Sequence, residues 1–225
     1  MIRISLLVLL FLFGVEIGLP QTVDVKATTD PKKINTLLRK IDDETKANKA
    51  YYAEEKKCRT LISQGDFAEA ERSCRQAILL VEKLPTDQAL AKSSSRVALA
   101  VVMLCQQKSA EAIALLNTSL ELGKPIIDDT DAETGERYFL LGQAYHQLAN
   151  IDEAKRFYLK AENTYRTAFK EMGDSDIRAF YPRPIINILA SHLLLLRNAG
   201  LTDDAARIEK RLAETKIQFA EFLKN

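Results

Sequence analysis

A single dipeptide returns at a constant interval and limits what this chain can fold into. Glu-Ala occurs at Glu69–Ala70, Glu111–Ala112 and Glu153–Ala154, with successive copies 42 residues apart. A looser copy, Asp204–Ala205, follows 51 residues after the third. A repeat of about 20 to 50 residues is typical of chains that stack similar units in a row, because each unit then buries its apolar face against its neighbour.

Apolar and small residues around each copy have the spacing of a helix. One cluster lies about 12 residues before each Ala, and another set lies four and seven residues after it, as Cys74 and Ala77 do after the first copy. Positions i, i+4 and i+7 share one face of an α-helix. Between the two stripes, Gly65 can end the first helix and Asp66 can cap the second, with Glu69 completing a capping box. Each repeat is therefore predicted to be a helix, a tight turn and a second helix.

The third repeat carries the residues of a known family. The segment Tyr138–Tyr145 reads Tyr-x2-Leu-Gly-x2-Tyr, and Ala154–Ala161 reads Ala-x3-Tyr-x2-Ala; together they closely resemble the tetratricopeptide signature. In that pattern the small residues let two helix backbones approach, and the large ones fill the layer around them. The usual family period is about 34 residues, so the longer period adds about two helical turns and resembles the long-helix variety found in kinesin light chain.

The resemblance implies an all-α fold, an α-solenoid in which antiparallel helix pairs stack into a superhelix. We assign residues 32–225 to this domain, with a leading helix at 32–46 followed by four helix pairs. The pairs are predicted at 47–64 with 66–84, 87–107 with 109–123, 130–148 with 150–172, and 184–198 with 202–223. The residues expected to pack the repeats together are Gly65, Ala70, Ala77, Leu99, Ala112, Tyr138, Leu141, Gly142, Tyr145, Ala154, Tyr158, Ala161 and Ala205.

The N-terminal segment has the pattern of a targeting signal. Leu6–Val15 is a run of ten apolar residues behind the single charge of Arg3, whereas a helix that spans a membrane needs about 20. Residues 1–20 are therefore predicted to be a cleaved export signal; an uncleaved membrane anchor and a buried N-terminal helix are the alternatives. Residues 21–31 lack periodicity and are predicted to be a linker. We expect an exported protein, periplasmic or secreted, or one held at the membrane by the uncleaved segment.

Stacked repeats expose an extended surface suited to ligands, and the family resemblance places it, as a concave groove, on the first helix of each pair. The apolar candidates Val97, Val101 and Phe139 favour an apolar segment as ligand; the alternative is that long helices bury these side chains against their neighbours. Some members of the family hold a C-terminal carboxylate with Lys, Arg and Asn side chains along this groove. In the first three repeats of this chain, only Arg59 is basic at the matching positions, which argues against that binding mode. The candidate groove residues are Tyr52, Glu55, Arg59, Val97, Val101, Phe139, Gln143 and His146.

The chain has three cysteines, Cys58, Cys74 and Cys105. The first two fall on the facing stripes of one helix pair, 16 residues apart. They are predicted to be either a disulfide, which an exported protein permits, or two small buried hydrophobic residues. Cys105 is left unpaired in both cases.

Charge and motif content argue against several functions. The net charge is +1, so the overall charge gives no support for nucleic-acid binding. The sequence has no phosphate-binding loop and no dinucleotide-binding, zinc-protease or serine-hydrolase motif, and its two His residues do not form a metal motif. His192 is expected to be a core residue with a local hydrogen bond, and Ser93–Ser95 to be the exposed start of a helix. We therefore expect no catalytic residue, no metal and no cofactor.

The predicted function is that of a non-enzymatic, exported adaptor or scaffold that binds a protein or peptide partner in the groove. The alternative is a structural module that self-associates or assembles within an envelope complex. No nucleic-acid partner is expected, and a membrane is involved only through an uncleaved N-terminal segment.

Overall fold

The computed structural model describes residues 31–84, 88–128, 130–173 and 180–223. Eight α-helices and no strand occur among these residues, so the all-α prediction is confirmed. The predicted signal or anchor, residues 1–20, and the predicted linker up to residue 30 lie outside the described residues. The helices are α1 (Pro31–Gln64), α2 (Phe67–Val81), α3 (Ala89–Cys105), α4 (Ser109–Gly123), α5 (Ala132–Gln147), α6 (Ile151–Glu171), α7 (Pro182–Asn198) and α8 (Thr202–Gln218).

Helix α1 is a single helix of 34 residues. The structure therefore has one helix where the sequence predicts a leading helix, 32–46, and a separate first repeat helix, 47–64. No Gly or Pro interrupts the segment after Pro31, and its Ala, Lys and Glu residues are strong helix formers. The chain nevertheless divides within this helix into two compact units, Met1–Asp43 and Glu44–Asn225. In the first unit, α1 carries exposed apolar side chains at Ile34, Leu37, Leu38 and Ile41.

Within the second unit, consecutive helices pack side by side. Helix α3 packs on α4, α5 on α6 and α7 on α8, while α2 with α3, α4 with α5 and α6 with α7 join successive pairs. The first helices of neighbouring pairs also touch, α3 with α5 and α5 with α7. Contacts between near neighbours only are characteristic of a solenoid, so that prediction is confirmed. We call the surface formed by the second-unit part of α1 and by α3, α5 and α7 the first-helix face.

The turn inside each pair places one residue in the left-handed region. Asp66 caps α2, as predicted, by accepting the backbone N–H of Glu69 at 3.2 Å, and Asn150 caps α6 in the same way by accepting that of Glu153 at 3.3 Å. The predicted capping box is not completed, because the backbone N–H of Asp66 donates to the carbonyl of Leu61 and the Glu69 carboxylate pairs with Arg72. The left-handed residues follow the spacing of the sequence repeat, with φ of 78° at Gly65, 62° at Gln107, 55° at Ala149 and 70° at Gly200. Two repeats thus make the turn with a residue other than glycine.

Glycine at those two turns should stabilise the protein. A side chain in the left-handed region costs about 1–2 kcal/mol, which exceeds the extra chain entropy of glycine in the unfolded state, about 0.5–1 kcal/mol. We expect Gln107→Gly with Ala149→Gly to raise the free energy of unfolding by about 1 kcal/mol in urea titrations. Ala114→Gly, an exposed position inside α4, is the control and should lower it by about 0.5–1 kcal/mol. A double variant less stable than the parent would contradict the prediction.

Helices α5 and α6 approach closely where a glycine meets a tyrosine. A Cβ atom added to Gly142 would lie 2.6 Å from Cδ1 of Tyr158, and Tyr158 is fully buried. The predicted packing residues Tyr138 and Tyr145 are partly buried, with ring centroids 6.0 and 5.5 Å from that of Phe157. The predicted packing residues that are buried are Ala70, Ala77, Leu99, Ala112, Leu141, Gly142, Ala154, Tyr158, Ala161 and Ala205.

Gly142→Ala should lower the free energy of unfolding by about 1–3 kcal/mol, because the added methyl group meets a ring that cannot move into solvent. Thermal unfolding followed by circular dichroism at 222 nm would measure it. Gly123→Ala is the matched control: its Cβ would lie 3.3 Å from Cδ1 of Ile127, the end of a flexible side chain, so the change should be smaller. Equal losses in the two variants would show that the close approach at Gly142 is not what limits its replacement.

Candidate functional site

The first-helix face contains a depression at its α1 end. Helices α1, α3 and α5 enclose about 260 Å³ there, and we call this space the α1–α3–α5 depression. Three predicted groove residues, Arg59, Val97 and Val101, line it. The full lining is Arg59, Ile62, Ser63, Ser94, Val97, Ala98, Val101, Glu133, Glu136 and Arg137.

A second opening lies further along the same face. Helices α3, α5, α6 and α7 surround about 580 Å³, the α3–α5–α7 cleft, which two further predicted residues, Gln143 and His146, help to line. His146 Nδ1 lies 3.3 Å from the hydroxyl of Tyr158, and burial lowers the pKa of His146. Its ring is therefore neutral at pH 7, and none of the described lining residues of the cleft carries a formal charge. The remaining lining residues are Leu104, Cys105, Gln107, Gln147, Ser191 and Leu194.

The other three predicted groove residues line neither opening. Tyr52 is 57% exposed, with its ring 4.8 Å from that of Tyr51. Glu55 forms an ion pair with Arg59 one turn along α1. Phe139 is partly buried, and its ring centroid lies 6.0 Å from that of Tyr158. Burial against neighbouring helices, the alternative noted for the apolar candidates, therefore applies to Phe139 and also to Val97, which is 8% exposed.

Arg137 is a buried cation beneath the depression and is not among the predicted site residues. Its side chain is 2% exposed. Nε donates to Ser119 Oγ and Nη2 to Ser93 Oγ, both at 2.9 Å, and Nη1 donates to the backbone carbonyl of Glu133. Burial lowers the pKa of Arg137, and the negative charges of Glu136 and Glu133 oppose that shift. The guanidinium is thus held by neutral oxygens and fixed in position between α3, α4 and α5.

Two serines of α3 differ from the sequence prediction, and one of them, Ser93, holds Arg137. Ser93 and Ser95 are buried, not the exposed start of a helix, because both hydroxyls have partners: Ser93 Oγ donates to the carbonyl of Ser119 at 2.8 Å, and Ser95 Oγ to that of Ala91 at 2.8 Å. One signal was present. Ser119 occupies the small packing position seven residues after a repeat alanine, where the neighbouring repeats have alanine, and a hydroxyl buried at such a position needs a polar partner.

Acidic side chains dominate the rim of the depression. Glu133 and Glu136 are exposed on α5, and neither forms an ion pair with a described residue. The positive charge of Arg59 on the opposite side is already paired with Glu55. The opening therefore combines an apolar floor, contributed by Ile62, Val97, Ala98 and Val101, with a rim of net negative charge.

The cysteines differ in state. Cys58 and Cys74, each 1% exposed, form a disulfide between α1 and α2, which is one of the two alternatives left open by the sequence. Cys105 is unbonded and exposed at the end of α3, and burial of its sulfur raises the thiol pKa. Within the described residues, no three His, Cys, Asp or Glu side chains are grouped so that they could hold a metal ion. None of the described helices is long and apolar enough to cross a membrane.

His192 is buried, as expected, but the predicted local hydrogen bond is absent. The side chain is 3% exposed, and neither ring nitrogen has a hydrogen-bond partner among the described residues. Its ring centroid lies 5.7 Å from that of Tyr158. The prediction was wrong because the ring packs against the ring of Tyr158 on α6, and the backbone carbonyls of its own helix are already used within that helix.

A family comparison agrees with the geometry. The model of the tetratricopeptide repeat matches residues 52–124 and, overlapping them, residues 94–167, so more than half of the chain is matched. The chain belongs to the tetratricopeptide repeat family. Tetratricopeptide repeats generally serve as protein–protein interaction scaffolds and are typically non-enzymatic. No curated protein matches the chain.

Several solved structures resemble the chain at low sequence identity. Nearly identical TPR-like repeats of the kinesin light chain type from Podosopora anserina are 11% identical, with a TM-score of 0.46 and coverage of 77% of this chain and 97% of the other. A variant of those repeats with one substitution is 11% identical, with a TM-score of 0.45 and coverage of 76% and 96%. BtubC (BKLC) from P. vanneervenii is 12% identical, with a TM-score of 0.41 and coverage of 81% and 92%.

Proposed function

We propose that this tetratricopeptide protein is an exported, non-enzymatic adaptor that binds a polypeptide segment along its first-helix face. One observation carries the proposal: the α1–α3–α5 depression and the α3–α5–α7 cleft are successive openings on that face. An extended segment crossing α3 and α5 could use both. The depression, at about 260 Å³, is smaller than the sites of about 300–1,000 Å³ that hold drug-sized molecules and cofactors, and it suits the side chains of a peptide.

The lining chemistry supports binding rather than catalysis. The depression offers apolar carbon at Ile62 and Val101, which keep part of their surface accessible to a partner's side chain. The cleft offers the amide of Gln143, which can donate to and accept from a peptide backbone. A catalytic site would need a nucleophile held within hydrogen-bond reach of its base. In the cleft, the described hydrogen bond of His146 goes to the hydroxyl of Tyr158, and no described hydrogen bond joins His146 to Cys105 or Ser191.

Two features support export. The ten apolar residues Leu6–Val15 have the length of a signal core, and disulfides such as Cys58–Cys74 persist chiefly in oxidising compartments. N-terminal sequencing of the protein purified from its native source, with a count of free thiols, tests this part of the proposal. A chain that begins at Met1 and has all three cysteines as free thiols would contradict export.

Selection from a random dodecapeptide library on the purified full chain tests the binding site. Ser94 lines the depression, is partly exposed and has no described hydrogen bond, so Ser94→Trp should fill the space without unfolding the protein. We expect Ser94→Trp and Val101→Glu each to weaken the selected peptides at least about tenfold, a change near 1.4 kcal/mol. Ala213→Trp, at an exposed position of α8, is the matched control and should leave affinity unchanged. If the selected peptides bind the parent protein and the three variants equally, the proposal that they bind on the first-helix face is wrong.

A second candidate function, self-association, is favoured by one observation in the first unit. The exposed apolar side chains of Ile34, Leu37 and Leu38 share one face of α1, and such stripes commonly mark interaction surfaces. Light scattering of the full chain across a concentration series measures it. If the protein self-associates there, Ile34→Glu with Leu38→Glu should lower the average mass; a monomeric parent protein would rule this function out.

A further inference from the structure

We propose that the α1–α3–α5 depression selects a segment in which apolar side chains alternate with Lys or Arg. This inference rests on the proposed function, and it names the chemistry of the partner. It is carried by the combination of an apolar floor with a rim whose unpaired charges are negative.

The floor sets the apolar part of the ligand. Ile62, Val97, Ala98 and Val101 come from two helices and meet at the base of the depression. Val97 and Ala98 are nearly buried, whereas Ile62 and Val101 keep part of their surface accessible. The volume of about 260 Å³ accommodates one large or two smaller apolar side chains, and removing them from water is the main source of affinity that such a surface can supply.

The rim sets the charge. Glu133 and Glu136 project from α5 on one side, and Arg59 lies on the other side in an ion pair with Glu55. Arg137 offsets one of the two free carboxylates. Its guanidinium is buried and already donates to Ser93, Ser119 and a backbone carbonyl, so it is not presented to a ligand. One unit of negative charge therefore remains at the surface, and a cationic side chain of the partner complements it.

Helix stability explains only part of this charge. Glu133 lies in the first turn of α5, where a carboxylate interacts favourably with the helix dipole. Glu136 lies beyond the first turn, where that interaction has largely fallen off. It has no ion-pair partner among the described residues. A positively charged side chain of a ligand would give the Glu136 carboxylate a partner at the edge of the apolar opening.

Fluorescence anisotropy with labelled, end-capped peptides tests the inference on the full chain. The probe is Gly-Ser-Gly-Leu-Lys-Leu-Lys-Gly-Ser-Gly; one comparator has Glu in place of both Lys residues, and another has Ser in place of both Leu residues. We expect the Leu-Lys peptide to bind at least about tenfold more tightly than either comparator. Raising NaCl from about 50 to 300 mM should weaken it several-fold, because the rim charges are exposed.

Charge-neutralising variants locate the effect. Glu133→Gln with Glu136→Gln should weaken the Leu-Lys peptide about tenfold and leave the Leu-Glu peptide unchanged or slightly tighter. The matched control removes the same charge elsewhere: Glu214→Gln with Glu221→Gln, both exposed at the C-terminal end of the described chain, should change neither affinity. Circular dichroism checks that all variants retain their helix content.

The outcomes separate this inference from the proposed function. If the Leu-Glu peptide binds as tightly as the Leu-Lys peptide, or if the Glu133/Glu136 variant binds normally, the charge selection is wrong. The proposal that the first-helix face binds a polypeptide remains supported in that case, provided that Ser94→Trp weakens binding of the library-selected peptides. If none of the three peptides binds, the inference is overturned, and the library selection alone decides whether the depression binds any polypeptide.

Discussion

Glu162→Gln should lower the free energy of unfolding by about 3 kcal/mol and loosen α8 from α6. Glu162 is 1% exposed and accepts from two arginines: Arg166 Nε at 2.8 Å and Arg211 Nη2 at 2.6 and 2.7 Å. Breaking a buried ion pair by removing one partner costs about 3–5 kcal/mol. We expect the lower end of that range, because both arginines are partly exposed and can turn towards water.

The effect should be concentrated in the last helix. Two further contacts hold α8 on α6: Lys155 Nζ donates to Asp204 at 2.8 Å, and Arg166 Nη2 donates to Thr215 at 2.8 Å. Arg166 donates to both Glu162 and Thr215. The substitution therefore weakens the contact of Glu162 with Arg211 directly and the contact of Arg166 with Thr215 indirectly. Hydrogen exchange should show faster exchange in α8 than in α3, and urea unfolding gives the free energy.

An exposed ion pair supplies the control for Glu162. Arg197 pairs with Glu209 at 2.7 Å, and both side chains are more than half exposed. Glu209→Gln should therefore change the free energy of unfolding by less than about 1 kcal/mol. A similar loss in the two variants would show that burial of Glu162 is not what makes its ion pairs important.

Acidification should weaken the protein through His192. Burial lowers the pKa of His192 from its ordinary value near 6.5 to about 4; Glu162 and Asp204 oppose this shift, and Arg211 and Lys155 add to it. Between these two pH values the unfolded chain binds a proton at His192 and the folded chain does not, so stability falls as the pH falls. The loss is complete near pH 4 and amounts to about 3 kcal/mol, since each unit of pKa difference corresponds to about 1.4 kcal/mol.

The variant His192→Leu isolates this contribution from those of other groups. It should be at least as stable as the parent at pH 7, because no hydrogen bond is lost. Its advantage should grow by about 3 kcal/mol between pH 7 and pH 4 in urea titrations. His146→Leu is the comparison: that ring is only partly buried, and most of the pH dependence should remain. Parallel stability curves for the parent and His192→Leu would refute the prediction.

The pairwise fold could be predicted from sequence because its determinants are local. The turn residue Gly65, the cap Asp66 and the packing residue Gly142 each act on a neighbouring turn or on the adjacent helix, and the Glu-Ala dipeptide marks the equivalent positions at an interval of 42 residues even where the residue type differs. The length of α1 was not predictable from the tetratricopeptide pattern, because that pattern describes a repeat and contains no signal for a helix that extends beyond it.

The polar contacts between helices were not predictable for a different reason. Arg137 meets Ser93, 44 residues earlier, and Glu162 meets Arg211, 49 residues later. Neither separation equals the repeat period of 42 residues. Which side chains meet depends on the position of one helix along its neighbour, and the repeat pattern does not specify that position. The same relative placement decides which of the eight predicted groove positions reach an opening. Arg59, Val97, Val101, Gln143 and His146 do, whereas Tyr52, Glu55 and Phe139 do not.

The Cys58–Cys74 disulfide gives the two ends of the array different vulnerabilities. In a stacked protein the outermost units have a neighbour on one side only and open first. Here the first pair is closed by a covalent bond, whereas the last pair is held on α6 by the ion pair of Arg211 with the buried Glu162 and contains the neutral, buried His192. A reductant is therefore expected to destabilise the first helix pair, and acid the last one. The redox potential and the pH of the surroundings thus determine which end of the array unfolds first.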